Sequence, residues 1–242
     1  MADKSYIGKG KVFLNGRAVG NVSELTFSIN EEKKELPDFT SPGGGLYNSL
    51  RRITGVEMSL KMHDFSPENL AVALFGSTSA VTATTVTDES ISAPATLSAD
   101  TLVTTANVID TAQTVTVTSD PAGTTYTEDT DYTVTASGIV ILAAGSISAS
   151  DALLIDYTKK AVDVIQALTS SAQEYVLMFD GLNEAQSGTP VVIKVHRAKF
   201  GGAQTLGMIG DEFGEISLTG DVLKDTSITT AGLSQYAEIK QA

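Results

Sequence analysis

Between Lys61 and Lys159 the chain contains no lysine or arginine. Acids nevertheless continue through the same span: Asp88, Glu89, Asp100, Asp110, Asp120, Glu128, Asp129, Asp131, Asp151 and Asp156 stand there with no cation to offset them. They carry most of the formal net charge of −13. The stretch is also rich in Thr, Ser and Ala, and so abrupt a change of composition marks an inserted module rather than a continuation of its host. The sequence therefore predicts a discontinuous host domain, residues 1–78 and 159–242, interrupted by an acidic, β-rich surface module over 79–158.

Local patterns predict strands in both parts. Val56, Met58, Leu60 and Met62 alternate with Glu57, Ser59 and Lys61, which is the period-two signature of a half-buried strand. Asn15-Gly16 suits the positive φ angles of a tight hairpin turn, with Leu25, Phe27 and Ile29 expected on the return strand, one face of it wet. From Glu31 to Arg52 the residues read as a long loop, because Pro37, Pro42 and Gly43, Gly44 and Gly45 oppose regular structure. Ser66, Pro67, Glu68 and Gly76 fit the cap, first turn and stop of a short helix packed by Leu70 and Leu74. Strand patterns recur at Val162–Leu168, Tyr175–Phe179, Val191–Val195 and Ile216–Val222, with a glycine-rich connection over 201–214. Within 79–158, Val115 and Val117, Tyr132–Val134, Ile139–Leu142 and Asp151–Tyr157 are separated by turns, as in a small antiparallel sandwich. The expectation is a mainly β protein: a β-sandwich or partial barrel with one packed helix, carrying an inserted small β-sandwich of Ig-like kind.

Chemistry is hard to find. With 42% apolar and 19% charged residues the chain should fold, but its lack of cysteine removes disulfides, thiolate metal sites and cysteine nucleophiles. His63 and His196 have no second histidine or acid at motif spacing, and read as structural or surface residues. Glu128 to Asp131 lacks the ligand alternation of a calcium loop and reads as a solvated turn. Gly43-Gly44-Gly45 is followed by no P-loop Lys-Ser/Thr, and loop flexibility accounts for it better. Asp211, Glu212 and Glu215 read as loop carboxylates. No catalytic residue, metal site or cofactor is expected. Lys33-Lys34, flanked by Glu31, Glu32 and Glu35, is neutralised, which disfavours conventional DNA or RNA binding. No apolar run reaches signal-peptide character near the start or bilayer-spanning length elsewhere, so no membrane insertion and synthesis as a soluble protein are expected.

The combination of opening hairpin, Gly20 to Phe27, the charged run Glu31 to Thr40, Gly43-Gly44-Gly45, Arg51-Arg52-Ile53 and Asp64 to Leu70 resembles the tail tube, or major tail, proteins of long-tailed bacteriophages. The likeness covers residues 5–76 well and those from about 160 more loosely, and the insert is similar to surface modules of some of these proteins. The resemblance implies a structural, non-enzymatic virion protein, assembled in the host bacterial cytoplasm. It would form homohexameric rings, stacked into a tube through which double-stranded DNA passes without specific binding. Its other partners would be the tape measure, terminator and baseplate proteins of the tail. The stretch Glu31 to Arg52 would then be the ring-stacking interface, with Glu31, Glu32, Lys33, Lys34, Glu35, Asp38, Gly43, Gly44, Gly45, Arg51 and Arg52 as its residues and salt bridges setting register between copies. A lumen should be neutral or acidic, since attraction would stall a moving polyanion. Another tail part, such as a terminator or baseplate protein, and an adhesive or carbohydrate-binding β-sandwich are the alternatives; the absence of Trp weakens the latter.

Overall fold

The computed structural model describes residues 4–98, 101–171 and 173–242, so Asp100 of the acidic series lies outside the described residues. Its elements are β1 (Gly8–Leu14), β2 (Arg17–Ala18), β3 (Val22–Pro37), β4 (Leu46–Met62), helix α1 (Pro67–Ala73), β5 (Ser77–Val81), β6 (Thr84–Ser92), β7 (Thr101–Thr104) and β8 (Thr116–Ser119). They continue with β9 (Thr125–Tyr126), β10 (Tyr132–Thr135), β11 (Gly138–Ile141), β12 (Ala152–Lys159), β13 (Val162–Gln166), β14 (Glu174–Asn183), β15 (Thr189–Phe200), β16 (Ile216–Val222) and β17 (Ala237–Gln241). The protein is thus mainly β, with several antiparallel sheets and one α-helix. The chain forms two compact units, Met1–Thr78 with Ile165–Ala242 and Ser79–Val164. Strands β5 and β13, in which the chain passes from one unit to the other and back, pair with each other.

The host unit is built on one sheet in the order β2-β1-β14-β15-β16-β4-β3, with β17 paired to the part of β15 that β16 leaves free. Its buried face gathers Val12, Leu14, Met58, Leu60, Met62, Leu177, Val195, Phe200, Ile216 and Leu218, and α1 lies against this core through Leu70, Val72 and Ala73. Ser66 caps the helix by accepting from the Asn69 amide at 3.2 Å, and Pro67 occupies the first turn. The helix is shorter than the sequence suggests: the left-handed residue is Phe75 at φ 49°, and Gly76 is needed because a Cβ there would collide with the Gln166 carbonyl.

Two expectations about strand pairing require correction. The Asn15-Gly16 turn has the expected positive φ angles, 49° and 82°, but its return is only β2; Leu25, Phe27 and Ile29 lie on β3 at the far end of the sheet. Register explains why: against β4 they meet Leu60, Met58 and Val56, matching apolar to apolar along one face. The stretch Glu31 to Arg52 is not a loop either, since Glu31–Pro37 of β3 pairs with Leu46–Ile53 of β4 and leaves only 38–45 as a turn. Period-two reasoning failed there because neither face of this hairpin is buried, so no alternation of polarity marks it.

The insert is a sandwich of a three-stranded sheet, β10-β11-β7, and a four-stranded one, β6-β12-β8-β9. Val103, Tyr132, Ile139 and Ile141 from the first pack with Val117, Tyr126, Leu153, Ile155 and Tyr157 from the second in a core of their own. Glu128 and Asp129 are exposed, but Asp131 is buried rather than solvated. Its carboxylate accepts from the Thr127 amide at 2.8 Å and the Ser146 amide at 2.7 Å, and these bonds hold its pKa below the ordinary value.

Asn183 is fully buried and ties β14 to the start of the chain: its Oδ1 accepts from the amides of Ile7 and Ala185, and its Nδ2 donates to the Ser5 carbonyl. Replacing it, Asn183→Ala, is expected to destabilise the host unit by about 1–2 kcal/mol, since three hydrogen bonds of a buried amide are lost while the exposed Ser5 and Ile7 regain water. A lower urea midpoint with unchanged slope checks this. For Asp131 the lowered folded pKa means that its stabilisation is present above the unfolded value near 4 and fades as pH falls through the folded one. The insert should therefore loosen in acid, and Asp131→Asn should cost about 1–3 kcal/mol at neutral pH while flattening that acid limb. Amide exchange at Thr127 and Ser146 across pH 3 to 7 reads both effects.

Candidate assembly surface

Strand β4 joins β16 only through Glu57–Met62, so the remainder of β4 and the facing part of β3 leave the sheet as a two-stranded arm. From Ile29 to Pro37 the arm is about 26 Å long, at about 3.3 Å per residue. An isolated two-stranded ribbon is marginally stable in water, and its outer edges present unpaired backbone groups.

Cross-strand partners assign its faces. Glu31, Lys33, Glu35, Ser49, Arg51 and Ile53 share one; Glu32, Lys34, Leu36, Asn48, Leu50 and Arg52 share the other. Most of the charge is compensated within the arm: Lys33 pairs with Glu35, Lys34 with Glu32 at 3.6 Å, and Arg51 with Glu31 at 3.3 Å. Among the described residues Arg52 enters no ion pair, although Glu32 stands opposite it in register. These exposed pairs are each worth about 0–1 kcal/mol.

The tip is a hydrogen-bonded turn. Asp38 donates its amide to the Gly45 carbonyl at 2.8 Å, and its carboxylate accepts from the Thr40 hydroxyl at 2.6 Å and the Thr40 amide at 2.7 Å, which lowers its pKa. Gly43, Gly44 and Gly45 have φ of 113°, 69° and 145°, values that side-chain-bearing residues rarely adopt. The glycine run therefore shapes the turn. Of the sequence-derived interface residues, the structure thus brings all eleven into one element, but most are occupied with one another.

What sequence reasoning missed is apolar. Ile29, Leu36, Leu46, Tyr47, Leu50 and Ile53 are exposed along the arm, and Phe39 at its tip is 83% exposed. The signal was present as large apolar residues recurring inside a charged segment, a pattern discounted once that segment was read as a loop.

At the opposite end of β4 lies a second exposed feature, the connection from β15 to β16. Met208, Ile209 and Phe213 project from it, the last two 100% and 97% exposed, beside Asp211, Glu212 and Glu215. Its base is anchored by a bridge between Leu206 and Ile216 and by His63, whose Nδ1 lies 3.2 Å from the Gly214 carbonyl and whose Nε2 lies 2.9 Å from the Ser23 hydroxyl.

The helix-free face of the host sheet carries mostly matched charge, with Met178 and Leu182 also exposed on it. Register sets Lys11 opposite Asp180, Lys194 opposite Glu238, Lys199 opposite both Glu174 and Asp221, and Lys61 opposite Glu24, the last an ion pair of 3.1 Å. Opposite charges facing across strands stabilise pairing and cancel long-range field. Among the described residues no group of three or more His, Asp or Glu is arranged to hold a metal ion, and no helix is long and apolar enough to cross a membrane.

No curated protein matches the chain. A family profile described as Protein of unknown function UCP028589 matches residues 5–240, host and insert alike. With nearly its whole length matched, the chain belongs to the UCP028589 family.

Proposed function

We propose that this protein is a self-assembling structural subunit, and that its assembly is the tail tube of a tailed bacteriophage, built from stacked hexameric rings. The observation that carries the reading is the free-standing β3–β4 arm: a ribbon with two open edges, exposed Leu36, Leu50, Ile53 and Phe39, and no covering element of its own. Such a ribbon gains its stability by docking, and a second copy is the partner that is always at hand. The phage identity rests on the resemblance of the first 76 residues. It is supported by the helix-free face, because Lys11, Lys61, Lys194 and Lys199 each stand opposite an acid, which weakens the attraction such a wall offers a moving nucleic acid. The role is structural rather than enzymatic, and the insert decorates the tube exterior.

Negative-stain electron microscopy of the purified chain, concentrated near neutral pH, is the test. Hollow tubes or stacked rings are expected; uniform monomers, also seen by light scattering, would overturn the reading. A chain in which residues 31–53 are replaced by an Asn-Gly turn should stay folded, with unfolding free energy within about 1 kcal/mol of the parent because no core side chain is removed. It should remain monomeric at concentrations where the parent polymerises.

A further inference from the structure

We infer that the arm of one copy docks on the loop 207–215 of a second copy, Arg52 against the carboxylates of Asp211 and Glu212 and the leucines of the arm against Ile209 and Phe213. This rests on the self-assembly reading and names the receptor that the arm requires.

Two observations carry it, and a third point follows from them. First, the two features are complementary. The arm face bearing Leu36 and Leu50 has one cation without an ion pair, Arg52, because the Glu32 opposite it is paired with Lys34, whereas the loop exposes Met208, Ile209 and Phe213 amid three acids that enter no ion pair among the described residues. Burying apolar side chains supplies affinity, while the charge match selects orientation and partner. Second, they lie at opposite ends of one strand. β4 runs from the arm through the sheet to Met62, Ile216 pairs with Met62, and His63 holds Gly214 at the loop base. From Ile53 to Met62 is about 30 Å of extended chain, so arm and loop face away from each other along β4. Third, such a contact is heterologous by construction. Each copy presents both halves, so docking repeats along the direction of β4 and propagates instead of closing as a two-fold dimer.

The chain has no cysteine, which permits a clean test by disulfide trapping in the full-length protein. Leu50→Cys chains mixed with Ile209→Cys chains should yield a cross-linked dimer at least about tenfold more abundant than Ile209→Cys chains mixed with Leu102→Cys chains, where Leu102 is an exposed residue of the insert. Separately, Arg52→Glu should raise the concentration for half-assembly about tenfold, and adding Asp211→Lys with Glu212→Lys in the same chain should restore it. Robust polymers with no excess of trapped dimer, or with indifference to both charge reversals, would overturn this contact while leaving the assembly reading intact. A parent chain that stays monomeric at high concentration, with no trapped dimer, would overturn both.

Discussion

From Glu57 to Met62, strand β4 is hydrogen-bonded on both sides, and Met58, Leu60 and Met62 enter the core with almost no exposure. From Leu46 to Val56 the same strand has β3 alone. This continuity lets a marginal ribbon stand away from the sheet. The buried portion fixes register, and each further pair in the arm adds hydrogen bonds without having to nucleate a hairpin. An irregularity between Asn30 and Glu31 separates the portion registered by apolar matching from the portion registered by ion pairs and the glycine turn. The arm and the loop beyond Met62 are thus placed relative to each other by one strand.

The insert meets a different constraint. With no lysine or arginine between Lys61 and Lys159, most of its carboxylates must find partners of another kind, Asp110 alone of them, among the described residues, reaching a lysine, Lys160, at 4.0 Å. Asp131 takes the amides of Thr127 and Ser146; Glu89 accepts from the Ala106 amide and from Tyr157, itself hydrogen-bonded by Asn107; Asp156 accepts from the Asp88 amide beside a bulge of β12; and Asp151 accepts from Ser148. Backbone N–H groups and a buried tyrosine hydroxyl thus take over the work that guanidinium groups do elsewhere. A module organised in this way can stay uniformly acidic on its surface without burying an unpaired charge, which suits an element facing solvent and repelling its neighbours.

The legible parts of the fold were those where polarity recorded burial. Val56 to Met62, the strands around Leu177, Val195 and Leu218, and the Ser66-Pro67 helix start all have one buried side, and their patterns gave them away. The arm was illegible for the converse reason: with both faces exposed, Glu31 to Arg52 has no burial for its polarity to record, and its prolines and glycines, confined to the end and turn of the hairpin, read as a loop. Pairing of β3 with β4 rather than β1 was equally hidden, because it depends on a crossing that only the folded sheet specifies. For the candidate surface, the sequence indicated the segment and its charges. It concealed that Glu31, Glu32, Lys33, Lys34, Glu35 and Arg51 pair within the arm, and that Leu36, Leu50 and Phe39 are its exposed apolar residues.

An exposed ribbon rich in leucine, tyrosine and phenylalanine invites indiscriminate edge pairing, and the internal ion pairs of the arm bear directly on that risk. Any strand that approached either edge would have to accommodate alternating charges already matched to each other, so random augmentation gains little while desolvating several ions. A docking partner that meets the arm on its leucine-bearing face incurs less of that cost, since it covers Leu36 and Leu50 with one ion pair, Lys34–Glu32, and leaves the Glu31–Arg51 and Lys33–Glu35 pairs on the opposite face in water. Arg52, the one arm cation without an ion pair among the described residues, lies on that same leucine-bearing face. The arrangement therefore favours face-on docking of an apolar, acidic surface over edge-to-edge aggregation, and it does so through the same charged residues that make the segment look, in sequence, like a solvated loop.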